Sequence, residues 1–130
     1  MNSNIFERKS FLDGNWIPSD YSDRFTCSYS GENLILKVNL NRASANEVDS
    51  LKKYIKNLPI KDLKSVIIDF RNCSFIDSTF LSAIINFSKL TRADIRLVVA
   101  DRRQLTLFKI TKLDSLFNIY LNIEQALVQS

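Results

Sequence analysis

The chain is 130 residues long, 45% hydrophobic and 25% charged, with a formal net charge of +4, values that fit one ordinary globular domain with a single core. It contains no histidine, which removes Ser-His-Asp and Cys-His catalysis and histidine-based metal sites. No apolar run approaches the roughly twenty residues of a membrane span, and the N-terminus lacks the basic-then-apolar pattern of an export signal, so a cytoplasmic protein is expected.

Residues 1–22 read as an irregular arm, with at most one helical turn, ahead of a domain at 23–130. Phe6, Phe11, Leu12, Trp16, Ile17 and Tyr21 punctuate the arm, and Asp13-Gly14-Asn15 and Pro18-Ser19-Asp20 are turn chemistry. These aromatics are too many for a bare linker and are expected to anchor on the domain or on a neighbour. Arg24 to Ser30 is strand-like, and Gly31-Glu32-Asn33 reads as a hairpin turn into Leu34 to Leu40. Ser44 and Glu47 have capping-box spacing. The helix after them places Val48, Leu51, Ile55 and Leu58 on one face, with Pro59 just past its end. Lys64 to Phe70 contains Val66-Ile67-Ile68, too continuous for a one-sided surface strand, which predicts a central strand under helices.

The next helix, from about Ser78 to Leu90, turns Leu81, Ile84, Ile85 and Ser88 inward, flanked by Phe80, Phe87 and Leu90. Ile95 to Ala100 is another buried strand. Asp101 can cap a helix running to about Ile110, with Leu105, Phe108 and the stem of Lys109 inside. Phe117 to Tyr120 reads as a short edge strand, and Ile123 to Val128 as a closing helix that buries Ala126 and Leu127. The order ββαβαβαβα predicts an α/β fold: a small mixed sheet of about five strands with helices packed mainly on one side.

Chemistry-bearing patterns are few. Gly14 and Gly31 belong to no phosphate-cradling loop. The carboxylates are scattered, with no acid/base pair and no calcium loop. No metal site, cofactor or enzymatic activity is therefore expected, and the chain reads as a binding or switching module. Cys27 and Cys73 lack zinc-ligand spacing and read as small buried thiols of a reducing compartment. The basic residues, among them Lys52, Lys53, Lys56, Lys61, Lys64, Arg92, Arg96, Arg102, Arg103, Lys109 and Lys112, come with no nucleic-acid recognition motif; solvated faces are expected rather than nucleic-acid binding.

The most informative stretch is Asp77-Ser78-Thr79-Phe80-Leu81. A buried strand delivers the chain to an acid and two hydroxyls at the start of a helix. Ser and Asp are ordinary helix caps. The same position also tolerates a phosphoryl group, because the positive end of the helix dipole favours negative charge, and phosphate there changes the surface by nearly two charges. Cap and switch are both open on these residues alone. The outward stripe of this helix should show Ser82, Asn86 and Lys89, with no charge between Asp77 and Lys89. A neutral polar face of this kind suits close approach by another protein.

From about Asp23 to its end the chain resembles the STAS domain, the fold of bacterial anti-sigma-factor antagonists. The resemblance is carried by Val66 to Leu81, which joins buried strand, acid-hydroxyl turn and helix at fixed spacing, and by Ile95 to Ala100 and Ile119 to Leu127. It implies a phosphorylation-switched antagonist that regulates transcription. Unphosphorylated, such a protein captures an anti-sigma factor that is also a serine-protein kinase; phosphorylated, it is released until a serine phosphatase restores it. Ser78 matches the family's phosphoacceptor, with Thr79 the second choice, and Asp77, Thr79, Ser82, Asn86 and Asn41 are the candidate partner-binding residues.

Three positions depart from the family pattern. Phe80 stands where many antagonists carry Gly, a bulky ring expected to narrow partner choice. Val38 and Asn41 stand where a Gly and an Asp often lie after the second strand, which leaves the site less negative. The alternative function is a non-switching STAS subunit of a signalling scaffold or a lipid-transport complex, in which Ser78 is a cap only. A receiver-like aspartyl phosphoacceptor, with Asp69 ending a central strand, lacks the acidic pair such a site requires.

Overall fold

A computed structural model of the chain describes residues 9–12, 15–18, 24–58 and 62–128. Strands β1 (Lys9–Leu12) and β2 (Asn15–Pro18) pair antiparallel, with Leu12 opposite Asn15, so the described residues of the arm form a β-hairpin where an irregular segment with at most one helical turn is expected. Asp13 and Gly14 connect the two strands and lie outside the described residues, as does Pro59.

The domain is built on a five-stranded sheet. Its strands are β3 (Phe25–Ser30), β4 (Asn33–Val38), β6 (Ser65–Asp69), β8 (Asp94–Val98) and β9 (Asn118–Tyr120), in the spatial order β3-β4-β6-β8-β9. The β3–β4 pair is antiparallel and the rest are parallel. Gly31 opens the β3–β4 turn at φ +63°, where a side chain would be strained. Two further short strands, β5 (Arg42–Ala43) and β7 (Phe75–Ile76), form a separate parallel pair.

Helices α1 (Val48–Lys56), α2 (Ser78–Leu90) and α3 (Arg102–Ile110) cover one face of the sheet. There Leu34, Leu36, Val66, Ile68 and Leu97 pack against Leu51, Tyr54, Phe80, Ile84 and Phe108. Helix α4 (Ile123–Val128) crosses the other face, where Ala126 closes over Ile67 and Val98. All five residues of β6 are buried, as the Val66-Ile67-Ile68 run requires of a strand covered on both sides. Among the described residues no helix is long and apolar enough to cross a membrane.

Several local expectations shift. Ser44 and Glu47 form no capping box: Ala45–Glu47 is a 3₁₀ turn without a side-chain cap, and α1 begins one residue later. Glu47 lies 3.6 Å from Arg24 instead. The buried stripe of α2 is Phe80, Leu81, Ala83, Ile84 and Phe87, while Ile85 and Ser88 are half-buried and Leu90 is 88% exposed. With Phe80 and Ala83 buried and Ile85 and Ser88 only half-buried, the apolar face is rotated by part of a turn from the one expected. Lys109 is exposed, and Leu105 is half-buried beside the fully buried Phe108.

Arg96 does not belong to a solvated face. It is 3% exposed, and from β8 its guanidinium donates to the Ala126 carbonyl at 2.7 Å and to Asp94 at 2.9 Å. A cation there meets the C-terminal, negative end of the α4 dipole and holds the helix on the sheet. Replacing Arg96 with Ala leaves that buried carbonyl without its donor, a loss of about 1–3 kcal/mol. Urea unfolding should show that loss, and hydrogen exchange should show early release of the α4 amides; unchanged exchange in α4 would refute this role.

Candidate functional site

The turn before α2 is assembled from two segments far apart in sequence. The parallel register of β5 on β7 places Arg42 beside Phe75 and Ala43 beside Ile76. The ladder extends at both ends. The Asn41 carbonyl accepts the N–H groups of Ser74 and Phe75 at 2.8 and 3.1 Å, and the Ala43 carbonyl accepts that of Asp77 at 3.0 Å. Ser74 adds a hydroxyl bond to Asn41 Oδ1 at 2.5 Å.

Asp77 completes the join. One carboxylate oxygen accepts the Phe80 N–H at 2.9 Å, capping α2, and the other accepts the Ala45 N–H at 2.8 Å across the turn. The acid therefore satisfies one helix donor and one donor of the facing 3₁₀ turn, which explains why Ser44 is not needed as a cap. Ser78 and Thr79 follow as the first two helical residues, both exposed. Ser82, Asn86 and Lys89 are also exposed, so Ser78, Ser82, Asn86 and Lys89 lie along one outward stripe at helical spacing.

The structure thus brings Asn41 to the same turn as Asp77, with Ser78 and Thr79 at its outer side and Ser82 and Asn86 farther along α2. Asn41 is exposed, and its side-chain oxygen is engaged by Ser74. The roles of Ala45, Ser74 and Arg42 escaped the sequence reading. Ser74 and Arg42 had no local signal, because a two-residue parallel pair leaves no periodicity to detect.

The acid at the end of β6 is committed to structure. Asp69 is 2% exposed and meets Arg71 in a two-point pair, with Nε and Nη2 each 3.0 Å from a carboxylate oxygen; the Arg71 backbone N–H adds a third bond at 3.0 Å. That hydrogen bonding with Asp69 raises the pKa of Arg71. Both carboxylate oxygens are engaged by Arg71, an arrangement that gives the aspartyl-acceptor reading no support.

The STAS domain family model matches residues 31–126. The chain belongs to the STAS domain family. Its fold is similar to that of a Thermotoga maritima protein, tm1081, proposed as an anti-sigma factor antagonist, with a TM-score of 0.69 and 21% identity over 79% of this chain and 91% of that one. It is also similar to the anti-sigma factor antagonist SpoIIAA in its unphosphorylated form, with a TM-score of 0.56 and 13% identity over 79% of this chain and 94% of SpoIIAA. No curated protein sequence matches the chain.

Within this STAS domain the ring of Phe80 is fully buried and packs edge-on against Phe70, with centroids 6.4 Å apart. Turned inward, it fills the core under the helix start and presents nothing bulky to a partner, contrary to the expectation that it narrows partner choice. Cys73 is buried as expected, whereas Cys27 is half-buried. Burial pushes the Cys73 thiol from 9.0 up to about 12, against a smaller lowering by the Leu40 backbone, and burial also raises Cys27 and Tyr54.

Asp77→Ala removes both carboxylate bonds and should destabilise the domain by about 2 kcal/mol. Hydrogen exchange should speed up at both Phe80 and Ala45; acceleration at Phe80 alone would mean that the cross-turn bond contributes nothing. For Cys73 the sign follows from its raised folded-state pKa. An unfolded thiol ionises above about pH 9, while the folded protein keeps the Cys73 proton until about pH 12. This contribution is complete below pH 9 and is lost as pH rises toward 12. Urea midpoints across that range should fall less steeply in Cys73→Ala than in the parent, and equal slopes would contradict the assignment.

Proposed function

We propose that this protein is a phosphorylation-switched anti-sigma-factor antagonist, a non-enzymatic, cytoplasmic STAS module that captures an anti-sigma serine-protein kinase while Ser78 is unphosphorylated. The observation that carries the reading is the exposed Ser78 hydroxyl at the first position of α2, directly after a cap held from two sides. Phosphate at a helix N-terminus is compatible with the fold. Its effect falls on the surface: Ser78, Thr79, Ser82 and Asn86 form a neutral polar stripe, close to which a partner docks at small desolvation cost. Nearly two negative charges at the rim of that contact, added to that of Asp77, oppose docking by repulsion and by the cost of stripping water from phosphate. A serine phosphatase then restores the binding form.

The second reading, a non-switching subunit of a scaffold or lipid-transport complex, draws support from Asn41, a neutral side chain where the family often places an acid. The two readings separate on one experiment. The full chain is incubated with ATP and the histidine-kinase-like anti-sigma ATPase of the same genome, and the product is mapped by mass spectrometry. One phosphate on Ser78, absent from Ser78→Ala, is expected. Phosphate on Thr79 alone that persists in Ser78→Ala would reassign the acceptor, and no phosphate would favour the scaffold. In a pull-down, Ser82→Glu and Asn86→Lys should fold normally and lose capture as Ser78→Glu does; full capture by both would move the interface off this stripe.

A further inference from the structure

A second surface is lined by residues of α3 and of the chain leading into β7. Between α3 and the segment 71–76 runs an open cleft of about 670 Å³. Its apolar lining includes Phe75, 38% exposed, Leu107, and Ile110, 73% exposed. The two walls are tied at a fixed separation by Gln104. Its amide nitrogen donates to the carbonyls of Phe70 and Cys73, and its oxygen accepts the Ala100 N–H at 2.7 Å. The cleft is therefore a built feature and not a packing gap free to close.

The charges around it are mainly basic, with one acid, Asp101, in the lining. Helix α3 carries Arg102, Arg103 and Lys109, all exposed, and no acid. Across the cleft Arg42 lies 4.1 Å above the Phe75 ring, leaving its charge at the surface. Asp101 lines the cleft, is exposed and spends one oxygen on the Gln104 N–H as the cap of α3, at 3.0 Å, while Asp69 is paired with Arg71. Against the three cations of α3 and Arg42 the surface stays net basic. A second copy of this chain would bring a basic helix against a basic helix. A small molecule would leave the projecting Ile110 uncovered, whereas binding sites for small molecules enclose most of their ligand.

We propose that this cleft docks an acidic amphipathic helical segment of a partner protein. Its apolar side chains cover Phe75, Leu107 and Ile110, and its carboxylates meet Arg103 and Arg42. Such a segment supplies both the apolar stripe and the charge that the surface lacks. The site shares no residue with the Ser78–Asn86 stripe of α2.

The test uses the full chain and a fluorescent peptide of about 18 residues, long enough to form a helix, with Leu at helical i, i+3, i+4, i+7 spacing and Glu elsewhere. Saturable binding is expected, weakened about tenfold or more by Ile110→Ser and by Arg103→Glu. Both residues are exposed, so melting temperature should not move; Leu90→Ser, on another helix, should bind as the parent does. Equal binding of the same peptide with Lys for Glu, no saturation by about 1 mM, or indifference to both variants would overturn the proposal. So would a dimer in sedimentation that Ile110→Ser dissociates, which would make a second copy the occupant. A shift in the emission of Trp16, the sole tryptophan, in Ile110→Ser would likewise overturn it by assigning the cleft to the N-terminal hairpin.

Discussion

The carboxylate of Asp77 holds two chain segments at once, with one oxygen on the first turn of α2 and the other on the 3₁₀ turn after β5. The geometry of the candidate site depends on that bridge. The central strand β6 positions the chain, but the strand ends at Asp69, and eight residues separate it from the helix. Over that distance backbone freedom would blur the direction of α2. The short β5–β7 ladder and the Asp77 bridge remove this freedom and fix where the Ser78 and Thr79 hydroxyls stand.

The sheet divides the molecule into two unequal layers. Three helices and most of the apolar side chains occupy one face, and a six-residue helix held by Arg96 occupies the other. The thin layer leaves Ser28, Ser30 and Lys37 exposed on that face. A buried arginine is costly unless its donors are used. Here one is spent on Asp94 and one on the last turn of α4, so the charge works as a clasp between the sheet and its only cover on this face among the described residues.

Much of this was readable in the sequence where the cause is local. The bounds of α2, Ser78 to Leu90, follow from a cap and an apolar repeat that are neighbours in sequence. The burial of β6 follows from three consecutive β-branched residues. The places where reading failed have non-local causes. Ser44 lost its role as a cap to an acid more than thirty residues away. Arg96 looked like a surface cation because nothing nearby in sequence shows that a helix thirty residues later offers it a carbonyl. The turn of the apolar stripe of α2 toward Ala83 depends on how the sheet meets it. The β1–β2 hairpin is different, since its signal was present: Asp13-Gly14 between apolar pairs is a strong two-residue hairpin pattern. Its polar flanks lack alternation, so the sequence shows the turn without its strands.

The Gln104 bonds to the Phe70 and Cys73 carbonyls bear on how a charge placed at Ser78 would be felt. Gln104 fastens the segment leading to the turn, and Asp77 fastens the turn itself, so little backbone is left to rearrange. A switch built on such a frame has two states of nearly the same shape that differ in electric field. Fields in salt water fade over a Debye length of about 8–10 Å. The message would therefore be legible to whatever touches this surface, stronger in dilute salt than in concentrated, and silent to anything a second molecular layer away.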